Sequence, residues 1–183
     1  MPRCRWCNLK NPLYVSYHDT EWGRPVRDDR KLFEFLVLES FQAGLSWETI
    51  LNKREHFRSV FDGFDPEIVK LYDDTKIDAL MSDPGIIRNR RKIEAAIRNA
   101  SVFLQIQQEW GSFADYIWHF TDGRVSRETG LTASPLSDRI SKDLKSRGMS
   151  FVGTTIVYSY LQAIGILWSH DPDCDLYKET PSD

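Results

Sequence analysis

Apolar residues recur at spacings of three and four along almost the whole chain, and the sustained apolar–polar alternation typical of strands is absent. This periodicity predicts an all-α fold. Capping side chains at Asn11, Asp28 and Asp65 mark helix starts, and Pro12 and Pro66 follow two of them at the first helical position. The predicted helices cover 12–21, 29–43, 47–61, 66–72, 75–82, 89–108, 112–119, 136–147 and 153–168.

The length of 183 residues and the hydrophobic content of 41% suffice for one buried core. We therefore expect one compact helical domain over 1–183, with two lobes flanking a pocket and the stretch 121–135 as a surface loop joining them. No apolar run reaches the length of a membrane helix, and the first residues lack the apolar segment of a signal peptide. We expect a cytoplasmic monomer with no membrane partner.

The formal net charge of -3 argues against a protein that coats nucleic acid through bulk charge. Any DNA binding must therefore be local. One basic patch covers 88–92 together with Arg98, and a weaker one comprises Lys142, Lys145 and Arg147. The alternative is that both are ordinary solvated helix faces.

Glu39 is a carboxylate within an apolar run, and at helical spacing it shares a face with Phe35, Leu36 and Ala43. No Lys or Arg lies within one helical turn of it. A buried carboxylate needs hydrogen bonds or a positive partner, so the missing partner could be a ligand.

Five aromatic residues fall in the first quarter of the chain with this acid: Trp6, Tyr14, Tyr17, Trp22 and Trp47. Rings around one hydrogen-bond acceptor suit a flat, electron-poor guest that carries donors, such as a damaged or flipped base. The alternative is an ordinary aromatic core in which Glu39 accepts a hydrogen bond from the protein itself.

His170 and Cys174 are four residues apart and can face one metal ion. Cys4 and His18 could complete a tetrahedral set that suits structural zinc and pins the two chain ends together. Cys4 and Cys7 form a C-x-x-C, which leaves open a set with Cys7 in place of His18. A redox pair is disfavoured because it would require a βαβ context. Three cysteines do not indicate a disulfide framework.

The segment 144–155 joins two helical patterns through a turn bounded by glycines, which is typical of a helix-hairpin-helix. Such a hairpin holds the DNA backbone without reading sequence. Its candidate contacts are Gly148, Ser150, Val152, Gly153 and Thr154. An ordinary connection between helices is the alternative.

Several motifs in order, from Arg3 to Cys174, resemble the 3-methyladenine DNA glycosylase I family of the helix-hairpin-helix glycosylase superfamily. They are Pro12-Leu13-Tyr14, Tyr17-His18-Asp19, Glu21-Trp22-Gly23, Leu38-Glu39, Gln42-Ala43-Gly44-Leu45-Ser46-Trp47, Gly85-Ile86-Ile87-Arg88 and Phe151-Val152-Gly153-Thr154-Thr155. The resemblance implies excision of 3-methyladenine from double-stranded DNA and one structural zinc bound by Cys4, His18, His170 and Cys174. Cys7 departs from the family's ligand pattern.

On this basis we expect a monofunctional hydrolase without a lyase step. Glu39 would accept hydrogen bonds from the exocyclic amino group of the base, Tyr17 and Trp47 would stack on it, and Trp6, Tyr14 and Trp22 would complete the walls. The superfamily's catalytic Asp is absent from this family. Asp171 and Asp173 lie at about the expected distance past the hairpin, but they stand between His170 and the proposed ligand Cys174, so we expect them to face solvent or to support the metal ligands. Two alternatives stay open: a glycosylase that also removes 3-methylguanine, and a non-catalytic base-binding module.

Overall fold

The computed structural model describes residues 2–179, and nine α-helices dominate this part of the chain. They are α1 (Pro12–Thr20), α2 (Asp29–Gln42), α3 (Trp47–Val60), α4 (Pro66–Val69), α5 (Asp74–Met81), α6 (Arg90–Trp110), α7 (Phe113–His119), α8 (Pro135–Ser146) and α9 (Thr154–Ala163). Two-residue strands β1 (Ser126–Arg127) and β2 (Leu167–Trp168) and two 3₁₀ turns (Asp62–Phe64 and Asp175–Lys178) complete the fold. The prediction of a mainly helical fold is confirmed.

The predicted caps form as the sequence indicates. The side chains of Asn11, Asp28 and Asp65 accept backbone N–H groups in the first turns of α1, α2 and α4. Pro12 and Pro66 occupy first-turn positions, where the missing N–H of proline costs no hydrogen bond. Eight of the nine predicted helices therefore begin and end within three residues of the observed bounds.

Helix α2 lies at the centre of the fold. Its residues 32–41 are all buried, and the helix packs against α3, α6, α7 and α9. On one side, the ring of Phe33 meets that of Phe103 at 5.1 Å between centroids, and Phe103 stacks on Phe113 at 4.1 Å. Any polar side chain in the middle of α2 is therefore surrounded by protein.

The ninth predicted helix is wrong at its C-terminal end, because α9 stops at Ala163 and not at residue 168. Gly165 has a φ of +76°, and a Cβ atom at this position would lie 2.3 Å from the carbonyl carbon of Arg24. The chain leaves the helix here because only glycine permits both the backbone angle and this close approach.

The stretch 121–135 lies at the surface, as predicted, but it is not without regular structure. It contains β1, which pairs in parallel with β2 so that Ser126 lies opposite Leu167. The guanidinium of Arg127 also donates to the backbone carbonyls of Tyr177 and Glu179, at 2.8 and 2.6 Å. This stretch is therefore attached to the C-terminal segment.

The buried hydrophobic residues form one cluster that extends from Cys4 to Leu176. Division of this unit into two lobes stays a prediction. Within residues 2–179, none of the helices is long and apolar enough to cross a membrane.

We expect Gly165→Ala to lower the free energy of unfolding by about 3 kcal/mol or more, since it combines left-handed backbone strain with a backbone overlap. Gly123→Ala is the matched control: its φ is +73°, but apart from its chain neighbours no atom of the described residues lies within 4 Å of the added Cβ. The control should lose only about 1–2 kcal/mol. Urea unfolding measures both, and equal losses would contradict the role of the contact with Arg24.

Candidate functional site

A cavity of about 290 Å³ lies against α1, α2, α9 and the start of α3. This volume is at the lower end of the range for small-molecule sites and suits one small ring system. The structure brings all six residues predicted for the pocket into its lining: Trp6, Tyr14, Tyr17, Trp22, Glu39 and Trp47.

The Glu39 carboxyl group is buried, with 3% of the residue exposed. Its Oε2 has no hydrogen-bond partner among the described residues. Burial raises the pKa of Glu39 to about 8, so the carboxyl is largely protonated at neutral pH. A group of this kind has an unused acceptor and favours a guest that brings positive charge.

Arg54 on α3 is a buried cation, but it is not the partner of Glu39. Its Nε donates to Glu34 at 2.6 Å, and its two terminal nitrogens donate to the Glu21 carboxylate at 2.8 and 2.6 Å. The guanidinium group of Arg54 is therefore already paired with Glu34 and Glu21. Within residues 2–179, no arginine forms an ion pair with Glu39, and the residue is almost closed to solvent.

The aromatic rings are tilted against one another. The ring centroids of Trp6 and Trp22 are 4.7 Å apart, and those of Tyr17 and Trp47 are 5.5 Å apart at an interplanar angle of 43°. A flat guest between two parallel rings needs about 7 Å, twice the contact distance of carbon atoms. The gap between the rings of Tyr17 and Trp47 is therefore too narrow for a flat guest.

Sequence reasoning missed seven lining residues as members of this pocket: Gln42, Gly130, Leu131, Ser159, Gln162, Ser169 and Asp171. Gln42 could have been found, because it lies three residues after Glu39 on the same helix face. Gly130 and Leu131 could not, since their position depends on the pairing of β1 with β2. The buried Trp47 Nε1 and Ser169 Oγ are further groups without a partner among the described residues.

Cys4, His18, His170 and Cys174 meet in a second buried cluster that joins the two chain ends. Their candidate ligand atoms all lie within 4.8 Å of one another. Burial raises the pKa of the Cys4 thiol to about 12, and burial lowers that of His170 to about 4. Such thiols ionise readily only beside a cation, so the cluster has the character of a metal site.

Groups around the cluster orient its donors. The Cys4 N–H points at His18 Nε2 (3.3 Å), so this atom carries a lone pair and His18 Nδ1–H donates to Asp19 at 2.8 Å. The hydrogen bond from Arg3 is the largest cause that lowers the pKa of Asp19 to about 2. The Asp171 N–H donates to Cys4 Sγ at 3.2 Å. Carboxylates behind histidines are typical of metal sites.

Cys7 lies outside this cluster. Its Sγ is 3.9 Å from the carbonyl oxygen of Tyr14, and no disulfide joins it to Cys4. The alternative ligand set in which Cys7 replaces His18 is therefore not the one that the fold brings together.

The cluster and the pocket share a wall. The Trp6 ring lies 5.2 Å from that of His18, and the Trp22 ring lies edge-on to that of His170 at 4.8 Å. Two of the five pocket rings therefore rest directly on candidate metal ligands.

Residues 147–153 form the hairpin between α8 and α9, which pack together. Gly148 has a φ of +103°, and Gly153 caps α9 without a side-chain hydrogen bond. The first amides of α9, beginning with Thr154, therefore have no cap. The Ser150 amide is already engaged by Asn99 Oδ1 at 2.9 Å, and the Val152 carbonyl accepts from Ser141 at 2.7 Å.

The hairpin is joined to the pocket through α2. Ser40 Oγ donates to the Phe151 carbonyl at 3.2 Å, and Ser40 follows Glu39 directly in the chain. The hairpin and the pocket acid are therefore anchored on adjacent residues of one buried helix.

Asp171 lines the pocket, but its Oδ2 accepts the backbone N–H of Arg5 at 2.8 Å. Asp173 is exposed. Their supporting roles stay a prediction.

A family model described as methyladenine glycosylase matches residues 6–178. The chain belongs to the methyladenine glycosylase family. Curated relatives include DNA-3-methyladenine glycosylase 1 of Escherichia coli (strain K12), 46% identical over 97% of each chain. DNA-3-methyladenine glycosylase of Haemophilus influenzae is 40% identical over 94% of this chain and 96% of its own.

Solved structures agree with this membership of the methyladenine glycosylase family. Staphylococcus aureus 3-methyladenine DNA glycosylase I, described for its recognition of 3-methyladenine, superposes with a TM-score of 0.92 at 36% identity, over 98% of this chain and 100% of that chain. The resemblance inferred from the sequence motifs is confirmed.

We expect the stability of the protein to depend on pH through Glu39. Below pH 4.5 both the folded and the unfolded carboxyl are protonated; between pH 4.5 and about 8 only the unfolded state ionises, so stability falls. Glu39→Gln removes this dependence. The stability of this variant relative to wild type should rise by a few kcal/mol across the window. Urea unfolding at several pH values measures it, and parallel pH curves would contradict the burial of an unpaired acid.

Proposed function

We propose that this protein is a monofunctional DNA glycosylase that flips 3-methyladenine out of alkylated double-stranded DNA and hydrolyses its N-glycosidic bond, the first step of base excision repair. The observation that carries this proposal is the buried, unpartnered Glu39 carboxyl in an aromatic cavity of base size. The relatives named for the same activity support it over nearly their full length.

The reaction needs little acid catalysis from the protein. Methylation at N3 places positive charge on the purine, so the base leaves with the electron pair of the glycosidic bond and becomes neutral. Water then adds to C1′ of the sugar and loses a proton to solvent. The protein's main contribution is to extrude the nucleotide, a step that costs a few kcal/mol and least for a base with impaired pairing.

Glu39 gives the pocket its preference. Oε2 accepts a hydrogen bond from the exocyclic amino group, which adenine carries and guanine lacks at that position. Positive charge on the methylated base stabilises the ionised form of this otherwise protonated acid. A neutral adenine lacks this advantage.

The rings supply the second part of recognition. Tyr17 and Trp47 stack on the base through the faces that they present to the cavity, and Trp6, Tyr14 and Trp22 close its sides. Cation–π attraction contributes about 0.5–2 kcal/mol, which favours a charged base over a neutral one. The hairpin residues Gly148, Ser150, Val152, Gly153 and Thr154 hold the DNA backbone. The uncapped amides at the start of α9 are the centre of this contact, because the amides of Gly148 and Ser150 already donate to Lys145 and Asn99.

We also propose that the buried cluster holds one structural zinc ion. Tetrahedral zinc with Zn–S near 2.3 Å and Zn–N near 2.0 Å separates sulfur from nitrogen by about 3.5 Å. Cys4 Sγ lies 3.3 Å from His170 Nδ1, and Cys174 Sγ lies 3.6 Å from both His18 Nε2 and His170 Nδ1. The spacing of the donors fits the ion, which would neutralise the two thiolates and keep the walls of Trp6 and Trp22 in place.

The reaction is tested by incubating methylated duplex DNA with the protein and identifying the released bases by chromatography. We expect free 3-methyladenine. Release of 3-methylguanine at a comparable rate would indicate the broader enzyme, and no free base would indicate a binding module. A cytoplasmic location and a monomeric state stay predictions.

We expect Glu39→Gln to lower single-turnover excision by about 10²-fold or more while changing duplex affinity by less than about threefold, because the carboxyl contacts the base and not the phosphates. Glu67→Gln makes the same substitution at an exposed position on α4 and is the control. A collapse of DNA affinity with excision preserved would contradict the assignment of Glu39.

We expect about one zinc per chain by elemental analysis. Cys174→Ser should abolish it and lower the melting temperature, whereas Cys7→Ser should retain the metal because Cys7 lies outside the cluster. A metal-free wild type with the same melting temperature as the zinc-containing protein, or loss of zinc in Cys7→Ser, would overturn this ligand set.

A further inference from the structure

The basic patch at the start of α6 separates into groups with different surroundings. Arg90 forms ion pairs with Asp78 and, at 3.7 Å, with Glu94. Lys92 is buried, and its Nζ donates to the carbonyls of Phe41 and Ala43 at 2.8 and 2.6 Å. These two cations of the predicted patch are therefore already bonded within the protein.

Arg91 and Arg98 differ from them. They are seven residues apart, so both lie on one face of α6, and both are exposed. They line a groove of about 440 Å³ whose other wall is Ser150 and Phe151 of the hairpin. No carboxylate of the described residues forms an ion pair with either one. Glu94 also lines the groove, but its nearest cation is Arg90 at 3.7 Å.

The hairpin side of the groove is held in place from two helices. Asn99 of α6 exchanges two hydrogen bonds with the backbone of Ser150, both 2.9 Å long. Arg98 donates to Ser150 Oγ at 3.1 Å. Phe151 is kept at a φ of +55°, rare for a side chain of this size, while Ser40 of α2 binds its carbonyl. Arg98 is therefore positioned against the hairpin and keeps further donors for a ligand.

We propose that Arg91 and Arg98 bind phosphates of the same DNA strand that the hairpin holds, which extends the contact along α6. This inference rests on the proposed function. Residues seven apart on a helix are about 10 Å apart along its axis, which corresponds to about three phosphates of one strand. Arginine suits this task because its planar fork donates two hydrogen bonds to a phosphate.

Charge complementarity singles out DNA as the occupant. The protein carries a net charge of -3 and so would be repelled by DNA on average, which makes local unpaired cations the source of attraction. In the second predicted patch, Arg147 is already paired with Glu109 and Asp143. The groove on α6 instead offers two guanidinium groups without a carboxylate partner in the described part of the chain.

The test measures the affinity for unmodified duplex DNA by fluorescence anisotropy at a series of KCl concentrations. The double variant Arg91→Gln with Arg98→Gln should reduce the slope of log K against log[KCl] by about two, since each lost phosphate contact removes about 0.9. Affinity at about 0.1 M salt should fall on the order of tenfold. Arg90→Gln, on the same helix turn but paired with acids, is the matched control and should leave the slope unchanged.

One further variant separates charge from local structure. Arg98→Lys keeps the charge but not the geometry of the hydrogen bond to Ser150, and it should restore most of the slope. Binding of free 3-methyladenine and the single-turnover rate at saturating DNA should stay at wild-type values, while the half-saturating DNA concentration rises. These readouts also show that the variants are folded.

An unchanged slope in the double variant, or equal losses in Arg90→Gln and the double variant, would overturn the proposal. So would a wild type that binds no duplex. Failure of the proposed function is distinguished from these results because it appears as the absence of released base from methylated DNA, a measurement independent of the slope on unmodified duplex.

Discussion

The structure depends on the burial of residues 32–41 of α2. Because no residue of this stretch is exposed, Glu39 faces the interior, where its carboxyl lines the aromatic cavity. Burial of the Glu39 carboxyl group without a positive partner among the described residues is unfavourable and lowers the stability of the fold. Such strain is typical of functional sites, because the missing interaction is one that a ligand can supply.

The second constraint is the junction of the two chain ends. His18 and His170 approach each other with centroids 5.0 Å apart, although 152 positions separate them in sequence, and each ring touches a tryptophan of the pocket. A bound cation would therefore fix more than the termini. It would also support Trp6, which lies on a segment without helix or strand and packs against Tyr14 and Trp22.

Local features were predictable from sequence. The periodicity and the caps at Asn11 and Asp28 depend on neighbouring residues only, so the helices follow from them. Glu39 was recognisable as an acid in an apolar run. The placement of residues that are distant in sequence was not predictable. The end of α9 depends on the close approach of Gly165 to Arg24. No property of Leu131 indicates that its loop reaches the pocket. Choosing His18 over Cys7 required either the family resemblance or the fold.

The hydrogen bond from Ser40 to Phe151 has a consequence for selectivity. It ties the hairpin to the residue next to the pocket acid, so the two sites are held at a fixed spacing by one buried helix. With the proposed function, a base would have to leave the stack before it could meet the buried Glu39, so flipping would precede recognition by the acid.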